Sequence, residues 1–132
     1  MSADSTNPIN ELNEYLRTNP VLMKITKERK LITFINVFNV DPEKQQQLVN
    51  LLIQATESSV RHVPGFISAA LHRSLDGAKV AMYAQWRSIE DYQAMRANAT
   101  ALPFMQQALA LAKFDPGMYE VIEIFEPLPK DS

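Results

Sequence analysis

The amino-acid sequence predicts one α+β domain whose elements follow the order β-α-β-β-α-β. Four segments are rich in β-branched and aromatic residues, and they are separated by segments whose apolar residues recur with helical spacing. Proline, glycine or aspartate stands at the junctions, as is typical of helix starts and turns. At 132 residues, 46% of them hydrophobic, the chain has the length of one domain and enough apolar residues for a core.

The first strand is predicted over residues 31–40, whose sequence LITFINVFNV is apolar on both faces. A strand with one face in water would alternate apolar and polar residues, so both faces of this sheet must be covered. Asp41-Pro42 predicts a helix start, since proline suits the first helical position. Leu48 and Leu51 continue the helical spacing, and Pro64-Gly65 ends the helix.

A hairpin is predicted next, with strands over residues 66–74 and 79–87. Asp76-Gly77 lies between them and supplies the positive φ angles that a tight turn requires. The sequence Ser88-Ile89-Glu90-Asp91 resembles a capping box that opens another helix, and Pro103 starts a further helical segment after an interruption.

The final elements are a turn at Asp115-Pro116-Gly117 and a last strand over residues 118–125. The resulting order is the split βαβ, or ferredoxin-like, arrangement, with an antiparallel sheet and both helices on one face. Because the first strand is apolar on both sides, the open face of the sheet is expected to meet a second copy of the chain in a homodimer. The alternative is that the N-terminal segment covers this face.

Three parts of the chain are distinguished. Residues 1–30 are predicted to form an N-terminal extension, with a short helix after Pro8, or to be disordered in part. Residues 31–126 form the domain, and residues 127–132 form a C-terminal tail. Packing against a partner is favoured over catalysis as the role of the extension.

Composition excludes several classes of function. The formal net charge is −2 and the charges are mixed along the chain, so neither nucleic acid nor a membrane surface is an expected partner. There is no cysteine, which excludes disulfides, thiolate catalysis and cysteine-ligated metal sites. The three glycines all lie in predicted turns, which leaves none for a phosphate-binding loop. The start shows no secretory pattern and no apolar stretch is long enough to span a bilayer, so a cytoplasmic protein is expected.

Three segments together resemble the antibiotic biosynthesis monooxygenase family. They are NVFNVDPEKQQQLVNLL, HVPGFISAALHRSLDGAKVAMYAQWRSIEDYQAM and FDPGMYEVIEIF, within residues 31–126. The most specific part is the strand end Tyr83-Ala84-Gln85-Trp86, followed by Ser88 and Tyr92 on the next helix. The resemblance implies a dimeric α+β barrel with a cavity between the sheet and the helices of each subunit. It also implies oxidation of phenolic, anthrone-like rings by O₂ without metal, haem or flavin.

Other branches of this family narrow or widen the prediction. Members that degrade haem use an Asn on the first strand, the Trp, and a His on the following helix. Asn36 and Trp86 match the first two, but residues 92–101 contain no histidine, so the resemblance disfavours haem as a ligand. Further members isomerise small signalling molecules, and the family alone therefore does not fix the reaction.

Four residues are candidates for the site. Trp86 is the only tryptophan, and its indole can donate one hydrogen bond and stack on a ring; the alternative is a core tryptophan. Asn36 is an amide in the most apolar strand, where it either faces a ligand or bridges strands. The phenol of Tyr92 can hold or relay a proton, or it fills the core. His72 is the best general base by chemical type, because its pKa range is near neutral.

The placement of His72 rests on strand parity, which puts it on the face of Phe66 and Ala70 near the exposed end of its strand. His62 is interpreted as a cation at a helix C-terminus. Two histidines without spaced carboxylates make no convincing metal site, so no metal is expected. Arg87 is a candidate for steering an acidic substrate, with solvation as the alternative.

The sequence therefore favours a monooxygenase that needs no cofactor and oxidises a polycyclic aromatic, anthrone- or quinol-type small molecule with O₂. Such chemistry needs a proton acceptor or stabiliser, hydrogen-bond donors for an oxyanion, and a dry apolar pocket. Two alternatives remain. One is an isomerase, cyclase or decarboxylase in the same cavity, and the other is a domain that binds a small ligand without converting it. Fold alone does not determine function. Oxygen consumption separates the monooxygenase from the isomerase or cyclase, and binding of an aromatic ligand without conversion would indicate the binding domain.

Overall fold

A computed structural model of the chain describes residues 8–18, 23–27 and 30–129, without the side chains of 15–18. The regular elements are α1 Pro8–Thr18, β1 Ile32–Val40, α2 Gln45–Ser58, β2 Phe66–Arg73, β3 Lys79–Trp86, α3 Ile89–Arg96, α4 Leu102–Leu111 and β4 Ala112–Tyr119. Short 3₁₀ turns precede and follow α2, at Pro42–Lys44 and Val60–His62. The predicted β-α-β-β-α-β order is confirmed. The two helices α3 and α4 together take the place of the second predicted helix.

The four strands described form one antiparallel sheet in the order β2-β3-β1-β4. β1 is central, and Asn36 lies opposite Met82 of β3 on one side and Pro116 of β4 on the other. This is the ferredoxin-like arrangement that the sequence predicts. It puts the most apolar strand where it is flanked by neighbours on both edges.

The helices α2, α3 and α4 cover the face of the sheet to which the even-numbered residues of β1 and β3 point. Two buried clusters lie beneath them. The first joins α2 and α4 to one end of the sheet, through Phe38, Val40, Leu48, Leu51, Val80, Ala108 and Ala112. The second joins α3 to the other end, through Phe34, Ala84, Trp86, Tyr92, Met95 and Ala101.

The last strand lies earlier in the chain than predicted. β4 runs over Ala112–Tyr119 and includes Asp115-Pro116-Gly117, the segment predicted as a turn, whereas residues 120–129 have no regular secondary structure. The prediction of a strand over residues 118–125 is therefore wrong except at its start. An edge strand tolerates proline because the missing N–H can face away from the neighbouring strand.

A β-bulge interrupts the pairing of β2 with β3. Phe66 lies opposite Trp86, but Ser68 lies opposite Gln85, so Ile67 is an extra residue in β2. A bulge shifts the alternation of side chains by one position. After it, Ala69 and Leu71 share the helix-covered face with Phe66, whereas Ser68, Ala70 and His72 lie on the other face.

The open face of the sheet is covered at one end by the extension. Gln85 and Thr33 of this face are buried, and Gln85 Nε2 donates to the carbonyl oxygen of Lys24 at 2.7 Å. An ion pair between Lys27 and Glu123 at 2.7 Å holds the same segment against the chain after β4. Farther along the face, Ile35, Val37 and Tyr83 remain partly exposed. The extension therefore covers part of the face and leaves an apolar remainder.

The predicted N-terminal helix is present as α1, and its Ile9 and Leu12 are exposed, by 67% and 56%. The first seven residues of the extension lie outside the described part of the chain. Among the residues that are described, no helix is both long and apolar enough to cross a membrane.

Candidate active site

A cavity of about 110 Å³ lies between the helix-covered face of the sheet and α2, α3 and α4. Apolar and neutral polar side chains line it. Those of β1 to β4 are Phe34, Asn36, Phe38, Phe66, Ala69, Met82, Ala84, Trp86 and Phe114; those of the helices and their flanks are Leu52, Ala55, Thr56, Val60, Tyr92, Met95, Ala101, Phe104, Met105 and Ala108. Asn36, Trp86 and Tyr92, three of the four candidates from the sequence, therefore meet in one place.

Trp86 is the last residue of β3. Its side chain lines the cavity and is 1% exposed. Its ring lies between two others in edge-to-face geometry, with centroids 5.5 Å from Phe66 and 5.8 Å from Tyr92. Such tilted pairs bring the positive ring edge of one residue to the negative face of the other. The three residues form a wall, hereafter the aromatic wall, that suits a flat ring.

Asn36 lies in the centre of β1 with its side chain buried at the cavity. Its Oδ1 accepts a hydrogen bond from the backbone N–H of Asp115 at 3.2 Å, which ties β1 to β4. Because the carbonyl oxygen is used in this way, the amide NH₂ is the part of the side chain that remains to donate. Asn36 thus bridges two strands, as one interpretation of the sequence has it, and it also lines the cavity; its contact with a ligand stays a prediction.

Tyr92 lies one turn into α3, with its ring tilted on Phe34 at a centroid distance of 4.5 Å. Burial raises the pKa of the Tyr92 phenol above its ordinary value, and the neighbouring Arg96 guanidinium partly opposes this shift. The phenol is therefore protonated at neutral pH, with its hydroxyl beside the Arg96 guanidinium, and the Tyr92 side chain lines the cavity.

His72 does not reach this cavity. The bulge at residues 66–68 puts it on the open face, opposite Ala81, and its side chain is exposed. The parity argument that placed it on the face of Phe66 is wrong because it assumed an unbroken alternation. His62 lies in the 3₁₀ turn that follows α2, since the helix ends at Ser58 and not at Pro64-Gly65 as predicted, and its Nε2 is 2.8 Å from the carbonyl oxygen of Glu57.

Arg87 is engaged at the protein surface. Its guanidinium donates to both carboxylate oxygens of Asp91, at 2.8 and 2.9 Å, so its charge is already paired and the prediction that it steers a substrate finds no support in the contacts. Sequence reasoning missed Phe34 and Phe66 as lining residues. Phe34 lies two residues before Asn36 in β1, so strand alternation already indicates that both face the cavity. Phe66 reaches the same face because of the bulge, which the sequence does not reveal.

Three of the side chains that line this apolar space carry a neutral hydrogen-bond donor: Asn36 an amide, Trp86 an indole N–H and Tyr92 a phenol. Such donors stabilise negative charge that develops on a ligand oxygen, and they do so more strongly where water is excluded. No group of three or more His, Asp or Glu side chains that would suit a metal ion occurs within the described ranges.

Residues 31–107 match the family model for the antibiotic biosynthesis monooxygenases. The tetracenomycin-F1 monooxygenase of Streptomyces glaucescens is 43% identical over 101 residues, which are 76% of this chain and 90% of that protein. The crystal structure of the ActVA-Orf6 monooxygenase of Streptomyces coelicolor with nanaomycin D is 28% identical, with a TM-score of 0.65 over 74% of this chain and 92% of that one.

A third comparison supports the fold alone. SnoaB of Streptomyces nogalater, a cofactor-independent oxygenase, is 21% identical, with a TM-score of 0.64 over 74% of this chain and 98% of its own. The match to the family model spans more than half of the chain, and the Streptomyces glaucescens relative is aligned over most of both proteins. The chain belongs to the antibiotic biosynthesis monooxygenase family and is an enzyme, a monooxygenase.

Proposed function

We propose that this enzyme oxidises a polycyclic aromatic phenol of the anthrone or quinol type with O₂ and without a cofactor. The observation that supports this most directly is the cavity itself, an apolar space lined by the aromatic wall and by three side chains that carry neutral hydrogen-bond donors. The relative from Streptomyces glaucescens is named for tetracenomycin F1, and the solved relative from Streptomyces coelicolor was crystallised with nanaomycin D.

The proposed reaction converts a ring methylene to a carbonyl. The substrate loses one proton to give a delocalised carbanion, which supplies electrons to O₂ and forms a C–O bond. The resulting hydroperoxide on that carbon then loses water and leaves a ketone. One oxygen atom enters the product, the other leaves as water with both methylene hydrogens, and the substrate is the only reductant.

The protein's part is to hold the anion and exclude water. The side chains that line the cavity are neutral, so the substrate is proposed to enter as the phenolate or enolate formed in solution. Asn36 Nδ2, Trp86 Nε1 and the Tyr92 hydroxyl would then donate to its oxygen atoms. Because Tyr92 keeps its proton through the neutral range, it serves as a donor there and not as the base.

The cavity is small for this substrate. Its volume of about 110 Å³ is below the ~300–1,000 Å³ of ligand sites in general. Three of its lining residues, Met82, Met95 and Met105, are unbranched and flexible, so they can change rotamer at low cost. We therefore propose that the methionine side chains change rotamer when a ring binds, which would enlarge the cavity to fit it.

The test uses metal-stripped protein with dithranol, a dihydroxyanthrone, in air and under nitrogen, while absorbance and dissolved oxygen are followed. We expect one O₂ consumed per product above the spontaneous rate, and one atom of heavy-isotope O₂ in the carbonyl. Trp86→Phe should lower the rate, whereas Glu123→Gln, far from the cavity, should not. Equal conversion under nitrogen would replace the proposal with an isomerase or cyclase, and ligand binding without conversion would favour a binding domain.

We also propose that the partly exposed apolar remainder of the open face, around Ile35, Val37 and Tyr83, packs against a second copy of the chain. Sedimentation velocity at micromolar concentration should show a dimer. A monomer at that concentration would mean that coverage by the extension, seen at Gln85, is all that this face requires.

A further inference from the structure

The three residues of the aromatic wall share one feature outside the cavity. Each is the chain neighbour of a residue in a polar cluster at the protein surface. Phe66 follows Gly65, Trp86 precedes Arg87, and Tyr92 follows Asp91. With Ser88, the residues Gly65, Arg87 and Asp91 form what we call the Asp91 clamp.

Asp91 is the centre of the clamp. Its carboxylate accepts two hydrogen bonds from the Arg87 guanidinium, at 2.8 and 2.9 Å, and one from the Ser88 hydroxyl at 2.8 Å. Its backbone N–H in turn donates to Ser88 Oγ at 3.1 Å, which caps the start of α3. Two-pronged arginine–carboxylate pairs fix direction as well as distance.

The clamp also includes the start of β2. The backbone N–H of Arg87 donates to the carbonyl oxygen of Gly65 at 2.8 Å. Gly65 has φ +90°, and a Cβ there would overlap the carboxyl group of Asp91. The side chain of Asp91 thus lies directly against the backbone of β2, at the residue before Phe66. The start of β2, the end of β3 and the start of α3 meet on one carboxylate.

We propose that Asp91 is a positioning residue. It sets the relative orientation of Trp86 and Tyr92, and hence the width of the part of the cavity beside the aromatic wall that would hold the ring of the substrate. Asp91 is connected to Trp86 through its hydrogen bonds with Arg87 and Ser88, the two residues that follow Trp86 in the chain. It is connected to Tyr92 directly, because Tyr92 is the next residue. Rings that meet edge to face at 5.5 and 5.8 Å transmit a rotation of one to the others. The inference rests on the proposed function for its catalytic consequence, but its structural part does not.

The alternative is that the clamp only stabilises α3, as a helix cap does. The two possibilities differ in what a variant changes. A cap that merely stabilises would lower the melting temperature and leave the folded molecules with normal rings and normal turnover. A positioning residue changes the surroundings of Trp86 and the turnover number in protein that is fully folded.

Asp91→Asn is the main variant, because asparagine keeps the shape but loses the charge and the second oxygen acceptor. Arg87→Lys is the companion, since it keeps the charge without the two-pronged fork and its side chain is 66% exposed, so folding is retained. Glu123→Gln is the matched control, because it removes a carboxylate from an exposed ion pair that belongs neither to the clamp nor to the cavity lining.

Trp86 is the only tryptophan, so near-ultraviolet circular dichroism and acrylamide quenching report on it alone among the indoles. In ligand-free protein below its melting temperature, Asp91→Asn should weaken the tryptophan band and increase quenching, with Arg87→Lys intermediate and Glu123→Gln unchanged. With dithranol, kcat should fall about tenfold in Asp91→Asn. The double variant Asp91→Asn with Arg87→Lys should have a kcat no lower than that of Asp91→Asn, because both changes break the same interaction.

Two results would overturn the inference. One is a wild-type tryptophan band and quenching constant in both variants. The other is a lower melting temperature with unchanged kcat in folded protein, which would assign Asp91 to stability only. If the wild type itself fails to oxidise dithranol, the proposed substrate class is at fault, and the spectroscopic comparison still decides the role of the clamp.

Discussion

Replacing Trp86 with phenylalanine separates the chemical role of the indole from its role in packing. The indole is 1% exposed and makes two ring contacts, and each aromatic pair contributes about 0.5–1.5 kcal/mol beyond its buried area. Losing both contacts would lower the free energy of unfolding by about 1–3 kcal/mol, and because phenylalanine retains a ring the fall should not exceed this range. Domains of this kind have about 5–15 kcal/mol in total, so the variant should fold.

The effect on turnover should be much larger. Phenylalanine has no N–H, and the loss of one oxyanion donor costs about 10²–10³-fold in kcat in enzymes that depend on one. Urea unfolding followed by circular dichroism gives the first quantity, and oxygen consumption with dithranol gives the second. The informative comparison is the loss of activity per folded molecule.

Val80→Ala is the matched control for stability. Val80 is 0% exposed in the buried cluster around Leu48 and does not line the cavity, so its truncation should cost roughly 2 kcal/mol with little change in kcat. If Trp86→Phe behaves like Val80→Ala, with stability lost and kcat per folded molecule retained, the indole is a packing residue and the donor role is refuted.

Three more predictions follow from the same contacts. Gly65→Ala should displace the Asp91 carboxylate and, at φ +90°, strain the backbone, so a loss of tryptophan ellipticity larger than that of Asp91→Asn is expected; wild-type ellipticity would contradict the close contact. The pKa of Asp91 is held below its ordinary 3.8 by Arg87 and Ser88, so its contribution to stability is present above that value and is lost as the pH falls through the folded-state pKa. Urea titrations should show a flatter acid limb in Asp91→Asn, and an unchanged limb would count against the ion pair. The pKa of Tyr92 is raised by burial, so its contribution to stability is present below pH 10.0 and is lost as the pH rises through the folded-state pKa. Tyr92→Phe should remove a phenol that ionises above pH 10.0 from a 295 nm titration, and an unchanged titration above that pH would contradict the shift.

Most of the fold was predictable because it follows from local patterns. The apolar run of β1, the Asp76-Gly77 turn and the Ser88 cap each act through their own residues and their near neighbours. The last strand was not predictable in the same way. Asp115-Pro116-Gly117 has the composition of a turn, and it is extended only because it pairs with β1 at the edge of the sheet.

The site divides along the same line. Asn36, Trp86 and Tyr92 were found because their strands and helix keep a regular alternation up to the cavity. His72 was misplaced because a single extra residue in β2 reverses the faces after it, and nothing in FISAALHR marks the bulge. The partner of Arg87 was equally hidden, since a capping pattern at Ser88–Asp91 does not reveal that the same carboxylate binds a guanidinium.

The methionines that line the cavity have a chemical consequence in addition to their flexibility. Met82, Met95 and Met105 place three thioethers around the space in which the proposed reaction forms a hydroperoxide. A thioether that takes one oxygen from that hydroperoxide becomes a sulfoxide and leaves the substrate as an alcohol. The enzyme would then oxidise its own pocket at a rate set by how often the ketone fails to form. The enzyme would then be inactivated after a certain number of turnovers and not after a certain time. Methionine sulfoxide reductases would increase that number by restoring the methionines.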